Sequence, residues 1–130
     1  MRAPWLLDPA RRDRGGAAVE MAIMALPLLI LTFMVVQAAL VYQAKGLALA
    51  AATQGANAAR NYGSDATTGR DRARAFLRRV GFGITDTDIS ASVSGGTATI
   101  TVKGKAQSII PWMTFEVSQT AYGPVERFTR

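Results

Sequence analysis

The chain has 130 residues, a formal net charge of +6, and neither cysteine nor histidine. That composition excludes a disulfide framework and thiolate sites, removes the usual nitrogen and sulfur ligands of zinc, and rules out Ser-His and Cys-His nucleophilic pairs. The length allows one small domain plus a membrane segment; with about 45 residues near the membrane, roughly 85 remain, enough for a thin core that leans on partners. The charge is divided, with five Arg/Lys against three Asp/Glu in residues 1–45 and ten against six in residues 46–130. Neither half singles out a nucleic-acid surface.

Residues 1–14 form a short polar leader with four arginines and no lysine, in which Pro4 and Pro9 discourage a continuous helix. Arg11, Arg12 and Arg14 precede Gly15-Gly16, and Glu20 follows. Next comes an uncharged run of 24 residues, Met21 to Ala44, longer than the about 20 apolar residues that cross a bilayer as a helix. An acid at the entrance of such a segment is costly in lipid and calls for a reason. Beyond the run the first positive charges are Lys45 and then Arg60, so the arginine bias sets the N-terminus on the cytoplasmic side. A cleaved secretory signal is the competing reading. Its apolar core spans only about 7–15 residues, whereas this run favours a retained anchor; the small residues of AAATQGANAAR keep a later cleavage open.

Pro27 lies inside the run and is expected to bend the helix there. Past Ala44, small residues recur at spacings of three and four from Gly46 to Ala59. They either admit a close neighbouring helix or simply reflect the high helix propensity of alanine. Asn61 to Asp65 read as a stop. A helix from Ala17 to Tyr62 is about 69 Å long at 1.5 Å per residue, more than twice the bilayer core, so it is expected to project outward.

A second, short helix starts at Thr67-Thr68-Gly69. Ala73, Phe76, Leu77 and Val80 make one apolar stripe at i, i+3, i+4 and i+7. Arg70, Arg72, Arg74, Arg78 and Arg79 fill the rest, either as a solvated face of a helix packed on a sheet or as a basic face for anionic lipid or nucleic acid. Gly81 and Gly83 end it. From Ile84 the period becomes two: Ile89, Ala91 and Val93 alternate with polar residues, Ser94-Gly95-Gly96 turns the chain, and Ala98, Ile100 and Val102 alternate in return, which predicts a β-hairpin with one buried and one wet face. Ile109 to Met113 form an apolar connector, in which Trp112 and Met113 either close the small core, the commoner fate of such residues, or touch a partner or the membrane surface. A third strand is predicted from Thr114 to Tyr122, with Phe115 and Val117 on one side. Gly123-Pro124 break it, and Val125–Phe128 follow as an extension or tail.

The expected fold is therefore α+β: a long N-terminal transmembrane helix extending outward, a short amphipathic helix and a small antiparallel sheet of about three strands. The divisions are a leader at 1–15, a transmembrane helix at 16–44, an Ala-rich extension at 45–62 and a small extracytoplasmic domain at 63–130. Candidate carboxylates for an enzyme are Asp65, Asp71, Asp86, Asp88, Glu116 and Glu126. Only Asp86 and Asp88 share a strand face by period two, a weak acid/base or cation signal, so no catalytic activity, cofactor, metal or small-molecule substrate is expected. Nucleic-acid binding by RDRARAFLRR is disfavoured because the topology puts that helix outside the cell.

At Gly15-Gly16-Ala17-Ala18-Val19-Glu20 the sequence resembles a class III prepilin-type leader: a basic leader, a glycine, and a glutamate at the fifth mature position opening an apolar helix. Over roughly residues 11–60, RRDRGGAAVEMAIMALPLLIL continued through VYQAKGLALAAATQGANAAR resembles TadE-like proteins, pseudopilins of the tight-adherence (Tad/Flp) pilus systems. TAYGPVERF is similar to endings of actinobacterial members. Met21 stands where an aromatic residue commonly follows the glutamate, and the doubled glycine leaves two scissile bonds, of which Gly15/Gly16 gives the matching register. The resemblance implies processing by a prepilin peptidase, a part in pilus assembly with other pilins, pseudopilins and inner-membrane platform proteins, and a single-pass location in the cytoplasmic membrane. It implies for Glu20 the neutralisation of a neighbouring subunit's terminal ammonium. Within one subunit, placement at the positive end of its own helix dipole suffices to explain the acid. The alternative is a generic membrane-anchored extracytoplasmic binding module without a pilus role, for which the glycine-to-glutamate spacing has no use.

Overall fold

The computed structural model describes residues 9–61 and 65–125. The readings made of residues 1–8, of Tyr62-Gly63-Ser64 and of Glu126–Phe128 lie outside these. The elements in order are α1 (Pro9–Arg60), α2 (Ala66–Val80), β1 (Ile84–Ser94), β2 (Thr97–Ala106) and β3 (Phe115–Pro124). The fold is α+β: a long apolar N-terminal helix, a short second helix and a three-stranded antiparallel sheet in the order β1-β2-β3. The helix starts eight residues before the expected Ala17. Pro9 is its first residue, a position where a missing N–H costs no intrahelical bond. Pro27 sits within it and the helix continues through.

The chain divides into two compact units at Val36/Gln37. Up to Val36 the described structure is helix alone. From Gln37 onward it is the rest of α1 with α2 and the sheet, and this part holds the core. Ala44, Ala48, Ala51, Ala52 and Ala56 of α1 cluster with Ala73 of α2, Ile89 of β1, Ile100, Val102 and Ala106 of β2, and Val117 of β3. The alternation read for β2 is met: Ala98, Ile100 and Val102 are buried. On β1 it weakens along the strand, with Ile89 buried, Ala91 half-buried and Val93 exposed.

Of the two readings of the small-residue spacing, close helix approach is the one realised, and the neighbour is α2 of the same chain. A Cβ built on Gly55 would lie 2.7 Å from the Gly69 carbonyl oxygen, and one on Gly69 would lie 2.8 Å from that of Gly55. The helices thus meet backbone to backbone, over the Ile100 side chain, which sits 3.1 Å and 2.9 Å from the same two points. The stripe of α2 faces inward: Ala73 is buried, and Phe76 and Leu77 pack against the core. Asp65 caps its start, accepting from the Thr68 N–H at 2.9 Å and from the Thr68 hydroxyl at 3.0 Å. Those bonds hold the Asp65 carboxyl below its ordinary pKa, the Thr68 backbone bond contributing most. Gly81 ends α2 in the left-handed region at φ 76°, its N–H donating to the Leu77 carbonyl.

Gly95 and Gly96 have φ of 59° and 79°, the pair of positive values a two-residue hairpin turn requires. Two features depart from the expected strands. Between Thr85↔Lys105 and Asp88↔Lys103 the register shifts, a β-bulge that puts Asp86 and Thr87 opposite Gly104 alone. The expected end at Gly123-Pro124 is also absent: both residues pair, Gly123 with Ala98 and Pro124 with Thr97. β3 is an edge strand, where proline is tolerated. Gly123 is buried against α1, a Cβ there lying 3.2 Å from the Ala56 carbonyl oxygen, so a side chain would intrude.

Candidate functional site

Every large apolar side chain of α1 from Val19 to Val36 is exposed, including Met21, Ile23, Leu28, Leu29, Phe33 and Met34. A core helix of a soluble protein hides such residues on at least one stripe. This one hides none, and it is long and apolar enough to cross a membrane. The segment also handles its polar groups as a membrane helix must: the Thr32 hydroxyl donates to the Leu28 carbonyl at 2.9 Å, leaving no free donor on that side chain.

Gly15 and Gly16 lie in the helical backbone ahead of this segment, and a Cβ added to either meets nothing within 4 Å. Neither has positive φ. Packing and backbone geometry therefore do not ask for glycine at these positions, whereas helix stability argues against it by about 1 kcal/mol each relative to alanine. Gly46 is equally open, so openness alone does not mark a site; what marks Gly15-Gly16 is the acid that follows. Glu20 is exposed, four residues after Gly16 and hence on the same helical face one turn on. Among the described residues it has no ion-pair partner.

Four of the carboxylates weighed for catalysis have structural roles. Asp65 is the cap of α2. Asp86 occupies the bulge at φ 49°, a left-handed conformation that Asp tolerates, with its carboxylate 3.5 Å from Lys105 Nζ. Asp88 stands opposite Lys103 and Glu116 opposite Lys105, cross-strand pairs of opposite charge. The shared face read for Asp86 and Asp88 does not survive the bulge. Ile84 and Ile89, five residues apart, both pack on the core, which strict alternation forbids; the extra residue inverts the phase between them, and Asp86 and Asp88 with it. Asp71 is exposed on α2, as are Arg72, Arg74, Arg78 and Arg79. Glu126 lies outside the described residues.

Sequence reasoning missed Gln37. It is 5% exposed, the one buried polar side chain among the described residues. Its Nε2 donates to the Gln107 carbonyl at 3.0 Å, and its Oε1 accepts from the Ile109 N–H at 2.9 Å. Gln37 and Gln43 are the two amide side chains in a 24-residue uncharged run, a visible signal, since an amide needs partners wherever water is absent. Trp112 does not close the core as favoured above: it is 83% exposed.

No curated protein and no solved structure matches the chain. Residues 15–57 match the family model described as TadE-like protein, the family that the sequence resembles from its glycine pair through its alanine-rich helix, and this match associates the chain with the Tad pilus.

Proposed function

We propose that this chain is a pseudopilin-like component of Tad (Flp) pilus assembly, held in the cytoplasmic membrane by one pass of α1. Its N-terminus is cytoplasmic and its α+β domain extracytoplasmic. A prepilin peptidase cuts between Gly15 and Gly16, and the mature protein assembles with other pilins or pseudopilins and the inner-membrane platform proteins. It acts as an assembly subunit and carries no catalytic site.

The observation that carries this reading is the conjunction at the head of α1: two glycines that packing does not need, an acid one turn beyond, and an apolar segment exposed on all sides. A segment free of tertiary packing on the cytoplasmic side suits a peptidase, because only the local helix has to unwind before the chain is cut. The cut frees an ammonium on Gly16. Glu20 then offers a carboxylate to that group or to a neighbour's, and burying the two as a pair costs less than burying either alone. Pro27 removes the N–H that would bond the Ile23 carbonyl, giving the helix a place to bend when subunits pack.

The test is the intact mass and N-terminal sequence of the protein from its native host. Loss of residues 1–15 is expected; a mature chain beginning at Met1 or Arg2 sinks the processing reading. Glu20→Ala and Glu20→Gln, made and cleaved normally, are expected to abolish or greatly reduce pili. Normal pili with both variants would leave a plain anchored module as the better description.

A further inference from the structure

The connector between β2 and β3 is an ordered turn. The Met113 N–H donates to the Ile110 carbonyl at 3.1 Å, which puts Pro111 and Trp112 at its tip. The Ser108 hydroxyl donates to the Ile110 carbonyl at 2.8 Å and accepts from the Ile110 N–H at 3.1 Å. Trp112 is thus held outward by a turn whose polar groups are largely satisfied, flanked by Ile109 and Met113, themselves exposed. From Ala106 to Phe115 the sequence carries no charge. The base of the turn is fastened to α1 at one residue, Gln37, and Gln37 follows Val36, the last residue of the wholly exposed apolar segment.

We propose that this turn rests in the headgroup zone of the membrane that α1 crosses, with Trp112 as its interfacial anchor and Tyr42 as a second one. This rests on the membrane reading above and sets the span at residues 16–36 rather than 16–44. Those 21 residues rise about 31 Å, against a hydrocarbon core of about 30 Å. Gln37 then stands at the outer edge of the hydrocarbon, where a turn bonded to it meets the headgroups. Tyr42 is 81% exposed, about 7.5 Å further along the helix and about 140° around it from Gln37, still at headgroup depth. Tryptophan and tyrosine favour that layer because each has an apolar ring and a polar tip. A lipid interface also accounts for the absence of charge in the turn.

The full chain carrying Trp5→Phe leaves Trp112 as its sole tryptophan. It is reconstituted in phosphatidylcholine vesicles, floated and washed with carbonate. The expected result is blue-shifted emission that iodide barely quenches and that lipids brominated high on the acyl chain quench more strongly than lipids brominated near its end. Emission open to iodide and untouched by brominated lipid, from protein that floats with the vesicles, overturns the proposal and leaves the anchor standing. A blue shift that brominated lipid does not quench and that vanishes on dilution in lipid assigns the turn to a second copy, and overturns it too. Protein that fails to float overturns the membrane reading and this inference with it.

Discussion

The two stretches of α1 on either side of Gln37 are helical, uncharged over most of their length and rich in small or apolar residues, yet they solve opposite problems. Before Gln37, the large apolar side chains are exposed all round, and none of the described residues covers them. After it, alanines and Gly55 line a face so shallow that α2 and the sheet lie directly on the helix backbone. Side-chain size, more than hydropathy, separates them. Leucine, isoleucine and methionine make a surface for lipid or another subunit, while alanine and glycine make a surface for the chain's own backbone. The glycines differ in the same sense: Gly55 and Gly69 are required by contact, whereas Gly15 and Gly16 are not.

The largest break in that contrast comes from the core over which the helices cross. Ile100 is fully buried beneath the Gly55–Gly69 contact, so Ile100→Ala is expected to destabilise the domain by about 3–4 kcal/mol through lost burial and the cavity left behind. Chemical denaturation of the full chain in detergent measures it. Gly55→Ala is expected to cost about 2 kcal/mol, because the new methyl meets a carbonyl oxygen at 2.7 Å that belongs to backbone and yields only if the helices part. Gly16→Ala is the matched control, leaving the denaturation midpoint of the domain unchanged.

How far these roles were legible follows from their range. The hairpin, the α2 stripe and the inward face of β2 depend on nearest neighbours along one element, so period and turn residues are enough to read them. The small-residue spacing signals a close neighbour but cannot name it, since what faces Gly55 is Gly69, fourteen positions on and around a corner. The bulge at Asp86-Thr87 left no such mark: its cause is the need for both Ile84 and Ile89 to reach the core, a tertiary demand that overrides the two-residue period. Gly123-Pro124 misled for a similar reason. Locally they break a strand, but on an edge facing the backbone of Ala56 they continue one. In the candidate site, the Gly15-to-Glu20 spacing was plain from sequence, whereas the role of Gln37 required knowing which loop returns to it.

Gln37 marks the boundary itself, and its replacement sharpens the comparison. Gln37→Ala leaves the Ile109 N–H and the Gln107 carbonyl without their partner and is expected to cost about 1–3 kcal/mol if water stays out. Hydrogen exchange at the Ile109 amide is expected to quicken well beyond that of the sheet. A smaller effect, confined to the second region, belongs to Asp65. Asp65→Ala removes the cap of α2 and is expected to lower the midpoint of thermal unfolding by a few degrees. The sign with pH is set by the depressed carboxyl. The cap's contribution is present at neutral pH, above the ordinary carboxylate range. It is lost as pH falls through the lowered native value. The gap between wild type and Asp65→Ala is therefore expected to close in acid.

The smallest expected effect is the most direct probe of the first region. Leu29 is large, apolar and exposed within the naked segment. In a water-soluble helix packed on its own domain, truncating a leucine at the interface costs several kcal/mol; here no part of the described chain touches the side chain closely enough to bury it. Leu29→Ala is therefore expected to leave the denaturation midpoint of the α+β domain unchanged, within about 0.5 kcal/mol. What changes is the affinity for hydrocarbon, and a single truncation in so long an apolar segment takes little from it. Leu28→Ser with Leu29→Ser and Ile30→Ser is the extension, expected to release the protein from carbonate-washed membranes while the α+β domain still unfolds at its native midpoint. A fall in that midpoint would mean that the naked stretch is covered by the protein after all, and the line drawn at Gln37 would have to move toward the N-terminus.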